Sequence, residues 1–435
     1  MTTQRKPRLL VMKGFAGAGG DRFGPALGSV AELIVIYRHS PDAPDDIVAI
    51  ENSALQQYGQ VHWFEHADDM TAGALAVVAE IGPVDGVITL SEQLLVEGAA
   101  VAEALGLPHH SSESIRLCRD KYLQRTTLRA AGVDSVRVHR IDSIDDVQPA
   151  IDHVGFPGVL KPVAGAGSAF TFQIDSADDM WESYRLATAH VDEAANLRNQ
   201  VQSFIYEEFL VSEPPDERLA GYCSVESLIS DGKVQHFAIS DRLPLGPHFR
   251  ETGLLVPTIL EPYRQQPLLE LAEEAIAGLG LTDGATHVEI MHTPTGPRLI
   301  EVNARLGGHV STLWPFICGW DPVHELANIA LGRPLNPVGT LNRAGAYLMI
   351  SVPGDEVTVD HTYGLDEIAA MPEVRVVHRD FADGDHVSAL KGTRSGVAKV
   401  FATAPDTDQL IDVDAEIRRT LRFEVTDDTA TGANE

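Results

Sequence analysis

What the sequence lacks narrows the field before any motif is read. It has only three cysteines, Cys118, Cys223 and Cys318, all far apart. That spacing supports neither a disulfide framework nor the close cysteine pair of a metal site. Cations are scarce: 33 Lys and Arg stand against 63 Asp and Glu, a formal charge of −30. Such a surface repels polyanions, which argues against a nucleic-acid partner. A nucleotide remains compatible, because its phosphates need only a few local cations. No apolar run reaches 18 residues without a charge, so no membrane span is expected. The N-terminus offers only the short run Leu9–Met12, not the apolar core and cleavage site of a signal peptide. A cytoplasmic location is the default expectation. His287, His292 and His309 lack an HExxH pattern and close cysteine partners, so zinc is not expected.

What remains is a globular chain. At 435 residues, 44% hydrophobic and 22% charged, it is too long for one core and predicts two or three units. In residues 1–115, Arg8–Met12, Leu33–Tyr37 and Val84–Leu90 read as strands, and Leu94–Leu105 as a helix stopped by Gly106. Strands separated by helices predict a three-layer α/β domain with parallel pairing. Gly14, Gly17, Gly19 and Gly20 follow the first strand, with GxGxxR among them. This falls short of the dinucleotide fingerprint and fits a tight strand-to-helix loop better.

Residues 116–210 read as a second, smaller α/β unit. A charged helix near Ser114–Ala131 leads in. Strands are expected at Val136–Arg140, Gly158–Val163, Phe170–Ile174 and Val201–Leu210, helices at Val147–Val154 and 177–190, and an exposed polar stretch at 191–200. Residues 211–335 open with an exposed loop, 211–221. A hairpin follows, Tyr222–Ile229 and Val234–Ile239, turning at Ser230-Asp231-Gly232-Lys233. Then come a helix from Gln266 to Gly278, strands His287–His292 and Arg298–Val302, and a short helix Asp321–Leu331. Residues 336–423 alternate strand-like stretches (Ala344–Val352, Val374–His378, Gly396–Ala402) and end in a helix near Ile411–Leu421. Residues 424–435 read as a disordered tail.

Two clusters carry chemistry. Lys161 ends an apolar strand and is followed by Gly165-Ala166-Gly167-Ser168. Glycines let backbone N–H groups turn around an anion, and a lysine adds a compact charge. Together they make a phosphate cradle, although an ordinary strand and glycine turn reads equally well and no Walker A order is present. Lys121 and Arg125 share a helical face, which alone also fits a solvated surface. In the second cluster, Glu289 and Glu301 lie in neighbouring apolar strands, and Asn303 shares the face of Glu301. Such oxygen ligands suit Mg²⁺ bridged to phosphates, and the plain alternative is a wet sheet face. Arg305-Leu306-Gly307-Gly308 follows at once, placing a guanidinium where an oxygen gains charge during acyl transfer.

This order of elements resembles the ATP-grasp superfamily, and more closely the L-amino-acid ligases that make dipeptides, in their bacilysin-synthetase-like branch. The resemblance covers about residues 85–335. It implies an ATP-grasp fold, α/β and α+β, in which an N-terminal three-layer α/β domain precedes two lobes that clamp ATP and a C-terminal extension completes the second lobe. By resemblance, Lys121 and Lys161 are the ATP-binding lysines, and Gly165, Gly167 and Ser168 the phosphate-covering loop. Glu207, Glu208, Phe209 and Leu210 lie at the adenine hinge. Glu289, Glu301 and Asn303 match the metal triad, for two Mg²⁺ ions with Mn²⁺ as a substitute. Arg305 matches the arginine that holds the acyl phosphate, while Arg242 and Glu251 match a basic and an acidic group facing phosphate and substrate. Glu92, His287, Gly308 and His309 fall at substrate-facing positions. His309 departs from the bulky tryptophan of the best-known relative, and Glu92 also reads as an acid beside the first turn of the next helix. The implied activity is ATP-dependent joining of a carboxylate to an amine through an acyl phosphate, on small molecules, with a homodimer compatible. The same lobe pattern occurs in carboxylase-like and nucleotide-precursor ligases, and a non-catalytic nucleotide-binding protein is the alternative from another class.

Overall fold

The computed structural model describes residues 5–14, 19–39, 45–65, 70–190 and 203–428. The expected polar stretch 191–200, Gly17 and the last seven residues lie outside them. No helix among the described residues is long and apolar enough to cross a membrane.

The N-terminal part runs β1 (Arg8–Lys13), α1 (Gly20–Val30), β2 (Glu32–Arg38), α2 (Asp45–Gln56), β3 (Gly59–Phe64), α3 (Met70–Ile81), β4 (Gly86–Thr89) and α4 (Leu95–Leu105). Its sheet has the order β3-β2-β1-β4, parallel throughout. The two-residue period explains the layers. Leu33, Val35 and Tyr37 face α1, whereas Ile34 and Ile36 face α3 and α4. A parallel sheet needs both faces covered, and here a later helix, Pro322–Ala330, helps to cover one of them. Arg22 of α1 ties that helix down through Asp321, at 3.0 Å.

Two helices follow, α5 (Ser112–Arg119) and α6 (Lys121–Ala130), where the sequence reading expected one. Asp120 makes the break. Its backbone is extended, and its side chain accepts from the Leu123 N–H at 2.9 Å. Aspartate favours such capping over continuing a helix. The break puts Lys121 at the first position of α6.

The next unit contains β5 (Val138–Ile141), α7 (Val147–Val154), β6 (Gly158–Pro162), β7 (Phe172–Ile174), α8 (Ala177–His190) and β8 (Phe204–Glu208). The sheet order is β5-β8-β6-β7, all antiparallel, with α7 and α8 on one face. Leu160, Phe204 and Tyr206 point to those helices, which leaves Lys161 and Glu207 on the other face.

The remaining chain builds an eight-stranded sheet. Its elements are β9 (Tyr222–Ser230), β10 (Lys233–Arg242), β11 (Gly253–Val256), α9 (Pro262–Gly278), β12 (Gly284–Thr293), β13 (Gly296–Asn303), α10 (Val310–Cys318) and α11 (Pro322–Ala330). Then come β14 (Ala344–Ser351), β15 (Glu356–Tyr363), α12 (Leu365–Ala369), β16 (Val374–Arg379), β17 (His386–Ser388), β18 (Gly396–Ala404), α13 (Thr407–Thr420) and β19 (Arg422–Asp427). The order β13-β12-β9-β10-β11-β14-β18-β16 joins the C-terminal extension to the second lobe edge to edge. The expected hairpin turns at Asp231-Gly232, both at positive φ, as a two-residue hairpin requires. A small sheet, β17-β15-β19, was not foreseen. It includes Glu424–Asp427, which the sequence reading put in a disordered tail; pairing with β15 orders them.

Candidate active site

Strand register builds the centre of the site. Glu289 stands directly opposite Glu301, and His287 opposite Asn303. On the other side β9 places Glu226 opposite His287 and Ser224 opposite Glu289. One face of three strands therefore carries Ser224, Glu226, His287, Glu289, Glu301 and Asn303. His287 Nδ1 donates to Glu226 Oε1 at 2.6 Å and Nε2 to Glu289 Oε1 at 3.2 Å. Burial pushes the imidazole pKa down, but the two carboxylates outweigh it and raise it to about 9. Burial also opposes ionisation of Glu289, and His287, Arg242 and Arg305 overcome it and hold that carboxyl at about 2.

This face borders a cavity of about 270 Å³ lined by Lys121, Lys161, Glu207, Glu251, His287, Glu289, Glu301 and Arg305. Lys161 Nζ lies 2.5 Å from Glu207, and Lys121 Nζ donates to Glu301 at 2.8 Å and to the Gly165 carbonyl at 3.0 Å. Both lysines are buried, so the alternative of a solvated helix face does not hold for Lys121. Its helical neighbour Arg125 lines the same cavity and bonds Glu207, Asp134 and the carbonyls of Leu299 and Ile300. Burial alone would raise the Glu207 carboxyl; Arg125 and Lys161 instead hold it at about 2. Glu208, Phe209 and Leu210 form the far wall. The N–H groups of Glu208 and Phe209 go to the carbonyls of Arg137 and Pro157. That of Leu210 has no backbone partner among the described residues.

Gly165, Gly167 and Ser168 also line this cavity. The loop reaches it through left-handed backbone at Gly167 and Ser168. A second segment clasps the loop. The Thr393 N–H donates to the Gly167 carbonyl at 2.8 Å, and the Phe170 N–H to the Leu390 carbonyl at 2.9 Å. Gly392 sits between them at φ +61, where a Cβ would lie 2.0 Å from the Gly167 oxygen. Only glycine fits so close an approach.

A second cavity, about 250 Å³, adjoins the first across Ala166, Arg305 and Gly308. Its walls are chiefly apolar, from Ile88, Leu90, Leu95, Leu306, Val323 and Leu326 among others. Glu92 and Arg305 form an ion pair at its junction with the first, and Arg119 donates to Glu92 at 2.6 Å. Burial resists the charge on Glu92, but Arg305 and Arg119 hold its carboxyl at about 2. Glu92 opens a short turn before α4, so both of its sequence readings describe the same place.

Three expected site residues line neither cavity. Arg242 lines neither cavity; it donates to Glu251 at 2.8 Å and to the Ser240 carbonyl, over the Tyr222 ring. It stands one layer back and fixes Glu251. His309 was expected on a substrate wall and is instead 2% exposed, stacked on Tyr347. Burial pushes its pKa down to about 3, so it is neutral. Asn303 shares the acidic face by register without lining the cavity. Sequence reading missed Glu226, Arg119 and the 390–394 clasp. Gly307 is one local signal of this crowding, for a Cβ there would lie about 3 Å from Glu226, His287 and His309.

Among the described residues no three His, Cys, Asp or Glu side chains group as a metal site. The donor chemistry still fits a hard cation. Two carboxylates, Glu289 and Glu301, face each other beside one cavity that also holds two lysines.

Residues 154–313 match the model of the ATP-grasp domain. Alanine–anticapsin ligase of Bacillus subtilis strain 168 is 32% identical over 242 residues, covering 53% of this chain and 50% of that protein. Human carnosine synthase 1 is 29% identical over 280 residues, covering 61% of this chain and 33% of that one. The chain thus spans about half the length, or less, of these curated relatives. The crystal structure of an L-amino acid ligase from Bacillus licheniformis superposes with a TM-score of 0.77 at 20% identity, covering 97% of this chain and 99% of that one. Residues 154–313 match the ATP-grasp domain, the chain has the ATP-grasp fold, and its sequence resembles amino-acid ligases.

Proposed function

We propose that the chain is an ADP-forming carboxylate–amine ligase that joins small molecules, amino acids among them, through an acyl phosphate. One observation carries this reading: a cavity lined by two lysines and two opposed glutamates meets an apolar cavity at Arg305. ATP fits the first. Its adenine would meet Phe209 and Leu210, and its phosphates Lys121, Lys161 and the Gly165–Ser168 loop. Glu289 and Glu301 would hold Mg²⁺, two ions in this reading with Mn²⁺ as a substitute, and the metal would neutralise phosphate charge.

The chain's own residues then position rather than react. In the first step a substrate carboxylate attacks the γ-phosphate, and ADP leaves. Arg305, at the junction, offers a planar fork to the acyl phosphate oxygens. In the second step an amine attacks the acyl carbon, phosphate departs, and Arg305 meets the oxygen that gains charge. Glu92 holds Arg305 in place and keeps it charged. The glycine loop, clasped by Leu390 and Thr393, shields the acyl phosphate from water. An ADP-release screen over pairs of amino acids and small carboxylic acids, with mass spectrometry of products, tests the reading. Release that requires both partners and yields a condensed product supports it. Release driven by bicarbonate would assign a carboxylase, and release under no condition a nucleotide-binding protein without turnover.

A further inference from the structure

Glu226 has no role in the two steps above. It lies on β9, next to β12 in the sheet, is fully buried and lines neither cavity. Among the described residues its hydrogen bonds fall on one oxygen. Oε1 accepts from His287 Nδ1 at 2.6 Å and from Ser224 Oγ at 2.8 Å, while Oε2 has no hydrogen-bond partner. A buried carboxylate left half satisfied is costly, and a well-packed apolar side chain would serve stability as well. Nor do the strands need it. β9 and β12 pair at every position from Gly284 with Ile229 to Met291 with Tyr222. The bonds show where the use lies. His287 stands between two carboxylates, and its Nε2 reaches Glu289 Oε1 at 3.2 Å. His287 and Glu289 line the lysine cavity. Gly307, whose Cβ would lie 3.0 Å from Glu226 Oε2, lines the apolar one. The buried pair therefore backs the place where the two cavities meet.

We propose that Glu226 is a positioning residue for the metal site: it fixes the His287 ring, and His287 in turn holds Glu289 ready for the cation. The proposal rests on the Mg²⁺ role given to Glu289 and Glu301 above. The bond that one imidazole nitrogen makes sets the direction of the other. With Nδ1 on Glu226, Nε2 points at Glu289. One oxygen of Glu289 is then held by His287, and the other is left for a cation. A ligand already ordered loses less rotamer freedom when the cation binds. Glu301 is aligned separately, by Lys121 at 2.8 Å, so Glu226 acts through Glu289 alone.

The test reads metal binding without turnover. Mn²⁺ is titrated into the full chain with ADP and followed by the paramagnetic resonance signal of the free ion. Glu226→Gln keeps the shape and removes the charge. It should weaken Mn²⁺ binding about 10- to 100-fold, the usual effect of losing a partner behind a metal ligand. ADP affinity in the presence of chelator, measured by calorimetry, should stay within about twofold. His287→Asn, too short to reach Glu289, should match Glu226→Gln, and the double variant should lose little more than either alone. Ser224→Ala removes the hydroxyl bonded to Glu226 and should shift Mn²⁺ affinity in the same direction by less. Glu325→Gln neutralises another buried carboxylate, on α11, and should leave Mn²⁺ affinity at the parent value. Unchanged Mn²⁺ affinity in Glu226→Gln, an equal loss in Glu325→Gln, or an equal loss of ADP without metal overturns the proposal and leaves the metal reading standing. If Glu226→Gln does not fold, unchanged Mn²⁺ affinity in Ser224→Ala does the same. A parent that binds no Mn²⁺ with ADP overturns the metal reading itself, and the proposal with it.

Discussion

The lysine cavity and the apolar cavity share Ala166, Arg305 and Gly308 as a common wall, yet they handle charge in opposite ways. In the lysine cavity each cation has a carboxylate from another element against it. Ligands there must arrive as a matched set. A phosphate with its cation offers Lys121 an anion and Glu301 a cation together, so nucleotide and metal favour each other's binding. In the apolar cavity the charged side chains are few: Glu92 with Arg305 at the junction, and Asp283 and Arg394 elsewhere on the wall. A ligand there would meet chiefly apolar surface, with a few polar groups to orient it. The contrast teaches that one wall residue, Arg305, has to serve both kinds of ligand.

The strongest way to break that contrast is Arg305→Lys. A lysine keeps the charge and loses the fork. If Arg305 meets developing charge, kcat should fall about 100- to 1000-fold, or roughly 3–4 kcal/mol in the transition state. ATP affinity, measured separately, should hold. A kcat within about threefold of the parent would make Arg305 merely a partner for Glu92. Next in size is Glu301→Gln, which keeps shape and removes a ligand charge. Turnover should drop about 100-fold at every Mg²⁺ concentration, while the melting temperature moves little. Turnover near the parent level across a Mg²⁺ titration would return Glu301 to a structural pairing with Lys121.

The site was legible where its chemistry follows a local period. Glu289 and Glu301 sit in short apolar runs joined by a turn, and the register sets them opposite each other as expected. Lys161 and the glycine loop were equally local. Glu226 was not, because its role exists only through β9 pairing with β12, some 60 residues on (61 between Glu226 and His287). His309 misled because its buried ring stacks on Tyr347, a partner on β14 that lies 38 positions further along the chain. The helix break at Asp120 had a readable cause in the residue type, hidden by the helical pattern on both sides. The parallel sheet was read by its layering, but its cover by α11 needed the tertiary fold.

Lys161→Met sharpens the comparison from the lysine side. It keeps much of the stem and removes one charge, leaving Glu207 with Arg125 alone. ATP affinity should fall about 10- to 100-fold, as for one charged hydrogen bond, and adenosine affinity hardly at all. Equal loss for both ligands, by calorimetry, would mean that Lys161 shapes the cavity without meeting phosphate. Affinity for the amine substrate should be untouched, since Lys161 does not line the apolar cavity.

The smallest expected effect tests what the two cavities have in common. Glu207 in one is buried and Glu92 in the other is partly buried, its side chain 17% exposed, and two cations hold each carboxyl at about 2. Unfolding returns such a group to the ordinary carboxylate range near 4.5. The sign follows from proton binding. Between these values the unfolded chain binds more protons, so stability from each ion pair is complete above about pH 4.5 and lost as pH falls toward 2. Glu207→Gln and Glu92→Gln should each lower the slope of stability against pH in that window by up to one proton, about 1.4 kcal/mol per pH unit. Glu208 is the internal control. It is adjacent to Glu207 but half-buried and paired with Arg137, so Glu208→Gln should change the slope less. Denaturant unfolding at a series of pH values from about 2.5 to 7 reads all three. Their kinetics should differ even where their slopes agree, with Glu207→Gln weakening ATP and Glu92→Gln raising KM for an amino substrate. An unchanged slope for both Glu207→Gln and Glu92→Gln would mean that these carboxylates keep an ordinary pKa, and that the cations beside them are held by the fold and not by charge.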